Sequence, residues 1–308
     1  MGRDVRDITR LPEHFRALRR EGLRFRVGPF VAHVRTPFSR LRHDFLETYE
    51  GFPLASEAEA TTFHLQVRAT SPLRRWVRPK LMADAGFAHT PFVPLPGDLG
   101  MLAMEMGLNW LVATSSDRFL MFHAGLVERD GKAILMPGAS GIGKSTLTAG
   151  LSLSGWRFFT DEFGLLDPDT LAFHPHPRPI SLKNESIPVL AERVMPERLS
   201  RPLHETPKGT IRYLKPPRDA LERMAETAPA SLILYPNYNP NAKSQVIELP
   251  KHEAFAMVRG AAVNCDRLGE TAFRTLAALT DRCRSFRLIY RSLDQAIRMV
   301  SDLMEHAP

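Results

Sequence analysis

Cysteine is nearly missing from this chain of 308 residues: Cys265 and Cys283 are the only two. Two cysteines build neither a disulfide framework nor a thiolate metal cluster, and they suit a reducing cytosol. Long apolar runs are missing too. The longest apolar stretch, Met101 to Ala113, is interrupted by Glu105 and Asn109 and falls short of the about 20 residues that a membrane span needs. Met1 to Arg10 is charged and lacks the apolar core of a secretory signal. No internal repeat or low-complexity tract is seen. These absences predict a cytoplasmic protein with no membrane contact.

What is present is a hydrophobic content of 44%, enough for one large domain or two ordinary ones. The formal net charge of +7 suits anionic ligands such as nucleotides. One stretch gives that charge a purpose. Gly138, Ala139, Ser140, Gly141, Ile142, Gly143, Lys144 and Ser145 fit G-x-x-x-x-G-K-[ST], the phosphate-binding loop. Lys132 to Met136 before it reads as a buried strand. Lys144 to Ser154 after it reads as a helix that stops at Gly155. Glycines let the backbone turn tightly and approach an anion. Successive N–H groups, with Thr146 in the first helical turn, then face the phosphates, and the helix dipole adds to them. Lys144 supplies a mobile charge for the outer phosphates. Ser145 supplies a hydroxyl for a magnesium ion. The expected ligands are therefore ATP and Mg2+.

The N-terminal part alternates short elements. Leu11 to Arg20 reads as a basic helix and Leu23 to Arg35 as a strand pair turning at Gly28-Pro29. Phe38, Leu41, Phe45 and Tyr49 share one helical face, and Thr61 to Val67 reads as a strand. This is a small α+β unit without a chemical motif. Pro91 to Gly97 is proline-rich and marks the expected boundary, giving an N-terminal domain over 1–97 and a second domain, the one with the glycine-rich loop, over 98–308. Asp98 is expected to cap a helix over Leu99 to Ala113. Arg74, Arg75, Trp76 and Arg78 read as a solvated basic connection, so nucleic acid is not expected.

From residue 119 onward strands and helices alternate, which makes the fold class α/β. Phe119 to Glu128 and Lys132 to Met136 read as a hairpin around Asp130-Gly131. His123 therefore sits on the neighbour of the phosphate-loop strand. Trp156 to Thr160 reads as a strand ending in Asp161-Glu162, and its return beside the loop places both carboxylates near the phosphates. Leu165 to Phe173 suggests a further hairpin. His174-Pro175-His176-Pro177 has the spacing of two metal ligands, but no third lies nearby. Pro196 to Pro217 reads as a polar, basic loop. Lys183, Lys208 and Arg212 are candidate phosphate clamps.

The chain lacks the Leu-Ser-Gly-Gly-Gln signature of transporter ATPases and the Asn-Lys-x-Asp motif of guanine-specific proteins. Its acidic pair follows the loop helix at once. His123-Ala124-Gly125, the loop Gly138 to Ser145, and Gly155 to Glu162 together resemble the HPr kinase/phosphorylase family. The loop also resembles that of phosphoenolpyruvate carboxykinases, which share the family's fold. The match covers roughly residues 119 to 183.

The resemblance implies a P-loop kinase domain of that α/β type beside the small α+β domain. It implies Asp161 as the general base on an acceptor hydroxyl, with His123 supporting it. Glu162 stands where the family has a second aspartate; with Ser145 it is a candidate magnesium ligand. The division of base and metal roles between Asp161 and Glu162 stays open. The family's Gly-Ile-Arg-Gly-x-Gly-Ile-Ile segment is absent, and residues 197 to 217 occupy its place. That removes the ground for expecting phosphorolysis or HPr itself as substrate. The expected acceptor is a serine hydroxyl on a peptide or protein. A small-molecule acceptor and a nucleotide-dependent regulatory module without turnover are the alternatives. Relatives assemble, which leaves a homo-oligomer open.

Overall fold

The computed structural model describes residues 7–86, 91–138 and 141–305. The chain divides into two compact units. The first holds Met1–Ser116, Lys183–Ile187 and Val194–Lys215; the second holds Asp117–Leu182, Pro188–Arg193 and Pro216–Pro308. The fold is mixed α/β with several sheets.

The first unit begins with a short helix, α1 (Pro12–Ala17), then β1 (Leu23–Val27), β2 (Phe30–Arg35), α2 (Ser39–Thr48), β3 (Phe63–Ala69), β4 (Lys80–Asp84) and β5 (Leu95–Pro96). The strands form one sheet in chain order, with β2 and β3 parallel and the other neighbours antiparallel. Gly28 takes a left-handed φ of 59° at the first turn, where a side chain would be strained. Leu41, Phe45 and Tyr49 are buried along α2, as their spacing predicts.

The helix α3 (Gly100–Ser115) packs on β3 and β4. Gly107 makes that approach close: a Cβ there would lie 2.7 Å from Leu65 and 2.9 Å from Ala83. The first unit therefore runs past the boundary expected at residue 97 and takes this helix with it. Asp98 sits in a 3-10 turn and does not cap α3; its N-cap residue is Leu99, with no side-chain cap. Glu105 on α3 is buried, and the Tyr49 hydroxyl donates to it at 2.6 Å. That bond accounts for an acid inside an apolar helix.

The second unit opens with β6 (Leu120–Arg129) and β7 (Lys132–Pro137), then α4 (Lys144–Leu153), β8 (Arg157–Thr160), β9 (Phe163–Leu166) and β10 (Ala172–His174). Asp130 and Gly131 both take positive φ, 52° and 76°, as the two-residue β6–β7 turn requires. Gly155, at φ 89°, ends the helix.

The strand β11 (Ile180–Lys183) and helix α5 (Ser186–Ala191) follow. Back in the first unit, β12 (Leu203–Thr206) and β13 (Gly209–Leu214) form an antiparallel hairpin, where the sequence reads only as a loop. Its turn is fixed by Thr206, whose hydroxyl donates to the Gly209 carbonyl at 2.6 Å.

The second unit closes with α6 (Arg218–Glu222), β14 (Ala228–Tyr238), β15 (Gln245–Glu248), α7 (Lys251–Ala261), α8 (Cys265–Leu268), α9 (Glu270–Arg282), β16 (Arg284–Tyr290) and α10 (Leu293–Glu305). The eight-stranded sheet runs β10-β9-β6-β7-β14-β16-β15, with β8 also pairing to β6. β7, β14 and β16 are parallel; β6 and β15 run against them. The main core lies where Leu120, Phe122, Ala124 and Leu126 of β6 join residues of β7, β14, α7 and α9. The opposite face of β6 carries α4. No helix of the described residues is long and apolar enough to cross a membrane.

Candidate functional site

The glycine-rich segment that ends at Lys144 joins β7 to α4, the strand and helix that its motif predicts. Ala139 and Ser140 lie outside the described residues. Gly138, Gly141 and Gly143 take φ of 148°, 93° and 99°. These values favour glycine strongly. A Cβ on Gly138 would lie 2.3 Å from Ile142, and one on Gly143 would lie 2.5 Å from the Tyr290 hydroxyl. The Lys144 ammonium is drawn back over the loop, donating to the Gly138 carbonyl at 2.5 Å. Ser145 and Thr146 are half-buried in the first turn of α4. Backbone curvature, an ammonium and a hydroxyl thus gather at one helix N-terminus.

Tyr290 ends β16 beneath this loop, 3% exposed. Burial pushes its hydroxyl above the ordinary tyrosine range, and neighbouring Tyr238 adds to this. It therefore stays a neutral group that does not repel an anion.

The register of β6 places the other predicted residues. On one side Ala124 pairs with Pro137 and Gly125 with Met136 of β7. On the other, Leu126 pairs with Thr160 of β8 and His123 with Phe163 of β9. Asp161 and Glu162 are thus the break between two collinear strands, opposite Gly125 and Ala124. The Ala124 N–H donates to the Glu162 carbonyl at 3.2 Å, which keeps the register through the break. The Thr160 hydroxyl accepts from the N–H groups of Glu162 and Phe163 at 3.2 and 3.3 Å, which fixes the bend. Pro137, Ala124 and Glu162 form one row across three strands. With neighbouring strands about 4.8 Å apart, the acidic pair stands roughly 10 Å from the start of the loop.

Asp161 is 5% exposed, and its carboxylate accepts the Ser181 N–H at 3.3 Å. Glu162 is more open, and its Oε1 lies 3.7 Å from His123 Nδ1. That same nitrogen is 3.2 Å from the Glu162 carbonyl. Both partners accept, so a proton on Nδ1 satisfies them. The two-residue pleat period puts His123 on the same face of β6 as Gly125, the face that carries α4.

Gly125 belongs to the His123-Ala124-Gly125 stretch that carries the resemblance, and its place in the fold gives it a steric role. A Cβ there would lie 2.1 Å from Thr148 Oγ1. The missing side chain lets α4, and with it the loop, settle on β6. An isolated glycine inside a strand signals such a close approach, and sequence reasoning did not use it.

Of the other candidates, Lys183 ends β11, the strand whose Ser181 N–H bonds to Asp161. Lys208 and Arg212 belong to the first unit, and the loop and acidic pair to the second. The Arg212 guanidinium donates to the Ser200 carbonyl at 2.7 Å and so braces its own unit. His176 is 1% exposed, and burial holds its imidazole well below the ordinary histidine range, with Arg178 adding to this. His174 packs on Phe119 with ring centroids 4.8 Å apart. Among the described residues no group of three His, Cys, Asp or Glu side chains forms a metal-binding cluster.

No family model matches the sequence. No curated protein matches it either. Among solved structures, the HPr(Ser) kinase/phosphatase from Coxiella burnetii is similar over 60% of this chain and 95% of its own, with 12% identity and a TM-score of 0.28. At that score the likeness bears on neither the site nor the reaction.

Proposed function

We propose that this protein is an ATP- and magnesium-dependent phosphotransferase that moves the γ-phosphate to a hydroxyl, in the first place a serine of a peptide or protein. The observation that carries the reading is the register of β6, which sets His123 on the neighbour of the strand that feeds the loop and the Asp161-Glu162 pair one strand beyond.

The residues present fit a nucleotide. The loop glycines turn as an anion cradle needs, and the buried Lys144 keeps its ammonium at the loop. Ser145 would hold magnesium, with Glu162 as a candidate second ligand. The metal, when bound, neutralises charge on the phosphate oxygens. Asp161 takes the proton from the attacking hydroxyl; its bond to Ser181 fixes where the carboxylate points. His123, anchored on Glu162, orients the acid pair. Transfer of this kind depends mostly on positioning and charge, which a rigid sheet edge supplies.

One observation keeps a second reading in view. Trp76 is 78% exposed, with the Arg75 guanidinium 5.1 Å from its ring centroid. A solvent-facing tryptophan among arginines suits a nucleotide-dependent binding module whose partner affinity changes between ATP and ADP. The deciding experiment is incubation with labelled ATP, magnesium and peptide, protein and metabolite acceptors. Label on a polypeptide supports the proposal. Label only on a metabolite moves the acceptor to a small molecule. Nucleotide binding without any transfer supports the module.

A further inference from the structure

The loop and the acidic pair account for the phosphate end of a nucleotide and leave its base without a seat. We propose that Tyr238 is the platform on which the purine base stacks. This rests on the reading of Gly138 to Ser145 as a phosphate site.

Direction comes first. β7 has two neighbours in the sheet: β6, which carries His123 and borders the acidic pair, and β14 on the other side. A triphosphate whose outer end faces Asp161 must carry its nucleoside toward β14. β14 runs parallel to β7 and ends on the same sheet edge, in Tyr238. Ligands of parallel sheets lie outside such strand ends.

The surface at that place is unusual. Tyr238 is 53% exposed, although the five residues before Asn237 on its strand, Leu232 to Pro236, are buried. Its backbone N–H donates to the Ile142 carbonyl at 3.4 Å, so the strand end that carries the ring is tied to the loop. A Cβ built on Gly143 would lie 3.4 Å from the Tyr238 Cβ. One edge of the ring is backed by Tyr290, with centroids 5.8 Å apart. The half-exposed ring beside the loop leaves aromatic surface on which a planar base can stack.

The chain beyond it is held in shape. The Asn239 N–H donates to the Tyr290 carbonyl at 2.9 Å, and the Asn241 N–H to Asn239 Oδ1 at 3.0 Å. The Arg291 guanidinium donates to the Pro240 carbonyl at 3.1 Å. These bonds hold the backbone that follows Tyr238, which reduces the ordering that binding costs.

The test is equilibrium binding of ATP and of inorganic tripolyphosphate to the full chain with magnesium, using wild type, Tyr238→Ala and Tyr238→Phe. Aromatic stacking of one base is worth roughly five- to hundredfold in affinity. Tyr238→Ala should weaken ATP about tenfold and leave tripolyphosphate unchanged, and Tyr238→Phe should bind both like wild type. Equal ATP affinity in Tyr238→Ala overturns the platform while the phosphate site stands. A matching loss of tripolyphosphate also overturns it, since Tyr238 then acts by shaping the loop. Wild type that binds neither ligand removes the phosphate site and the platform together.

Discussion

His123 Nδ1 lies 3.2 Å from the backbone carbonyl of Glu162 and 3.7 Å from its side-chain Oε1. One imidazole thus spans from β6 to the break between β8 and β9, and it reports on both. Asp161→Asn should lower transfer at least about a hundredfold, since it removes the proton acceptor. His123→Ala should lower it less, and nucleotide affinity should survive both changes. Single-turnover rates with labelled ATP, set against ATP affinity, separate the two effects. Full activity in Asp161→Asn removes Asp161 from the mechanism.

Lys144 is 5% exposed and bonded to the Gly138 carbonyl. Lys144→Ala should abolish measurable ATP binding. Calorimetry is the direct measurement, and thermal melting without nucleotide should show that the fold persists.

Gly125 and Thr148 offer a steric test of how the loop helix is seated. Gly125→Ala meets Thr148 Oγ1 at 2.1 Å and should cost about 1–3 kcal/mol, in the range of core overpacking. Thr148→Ala removes that atom, leaving the next nearest, Thr148 Cβ, at 3.4 Å. The buried Thr148 hydroxyl has no hydrogen-bond partner, so its loss alone is cheap. The double variant should recover most of the stability and the ATP affinity. Urea denaturation of the four proteins closes the cycle.

Arg157 and Glu128 form an ion pair at 2.5 Å with both side chains 5% exposed. Arg157 also donates to the carbonyls of Arg223 and Glu226 at 3.1 and 3.0 Å. Arg157→Met should destabilise by about 3–5 kcal/mol, because it strands a buried carboxylate. Adding Glu128→Gln should recover part of that loss, since the amide keeps an acceptor for the Gly131 N–H but carries no charge.

Glu59 gives a pH signature in the first unit. Hydrogen bonds from Arg26 at 2.6 and 2.8 Å hold its carboxyl down at about 2, with Ser56 adding two more bonds. A depressed acid stabilises the folded state above its unfolded pKa, about 4.5, and that contribution fades as pH falls toward 2. The pair is partly open to solvent, so the contribution is about 1 kcal/mol. Glu59→Gln should be less stable than wild type at pH 7, and the gap should narrow as pH drops below 4.5. A gap that stays constant across that range excludes the linkage.

Much of the second unit was legible because its signals are local. Asp130-Gly131 announced the β6–β7 turn, Gly155 announced the end of α4, and the loop announced itself by three glycines and Lys144. The helix over Gly100–Ser115 was legible as a helix, but its place in the first unit was not. That place depends on Leu65 and Ala83 receiving Gly107, and those contacts cross about forty and twenty-five residues of chain. The hairpin over residues 203–214 was hidden for a related reason. Ile211 and Tyr213 of β13 do alternate into the core, but β12 is only four residues long with two exposed in its middle, so the pairing that defines the hairpin shows only in the fold.

The sequence alone determined the glycine turns and the helix start over Gly138 to Ser145, since left-handed turns and a helix start are written in residue type and spacing. Only tertiary structure decided that Asp161 and Glu162 interrupt a strand opposite Ala124 and Gly125, and that Tyr238 stands over Gly143. The physical reason is that backbone geometry is set within a few residues. The meeting of distant side chains is set by strand register, which exists only once the sheet has formed.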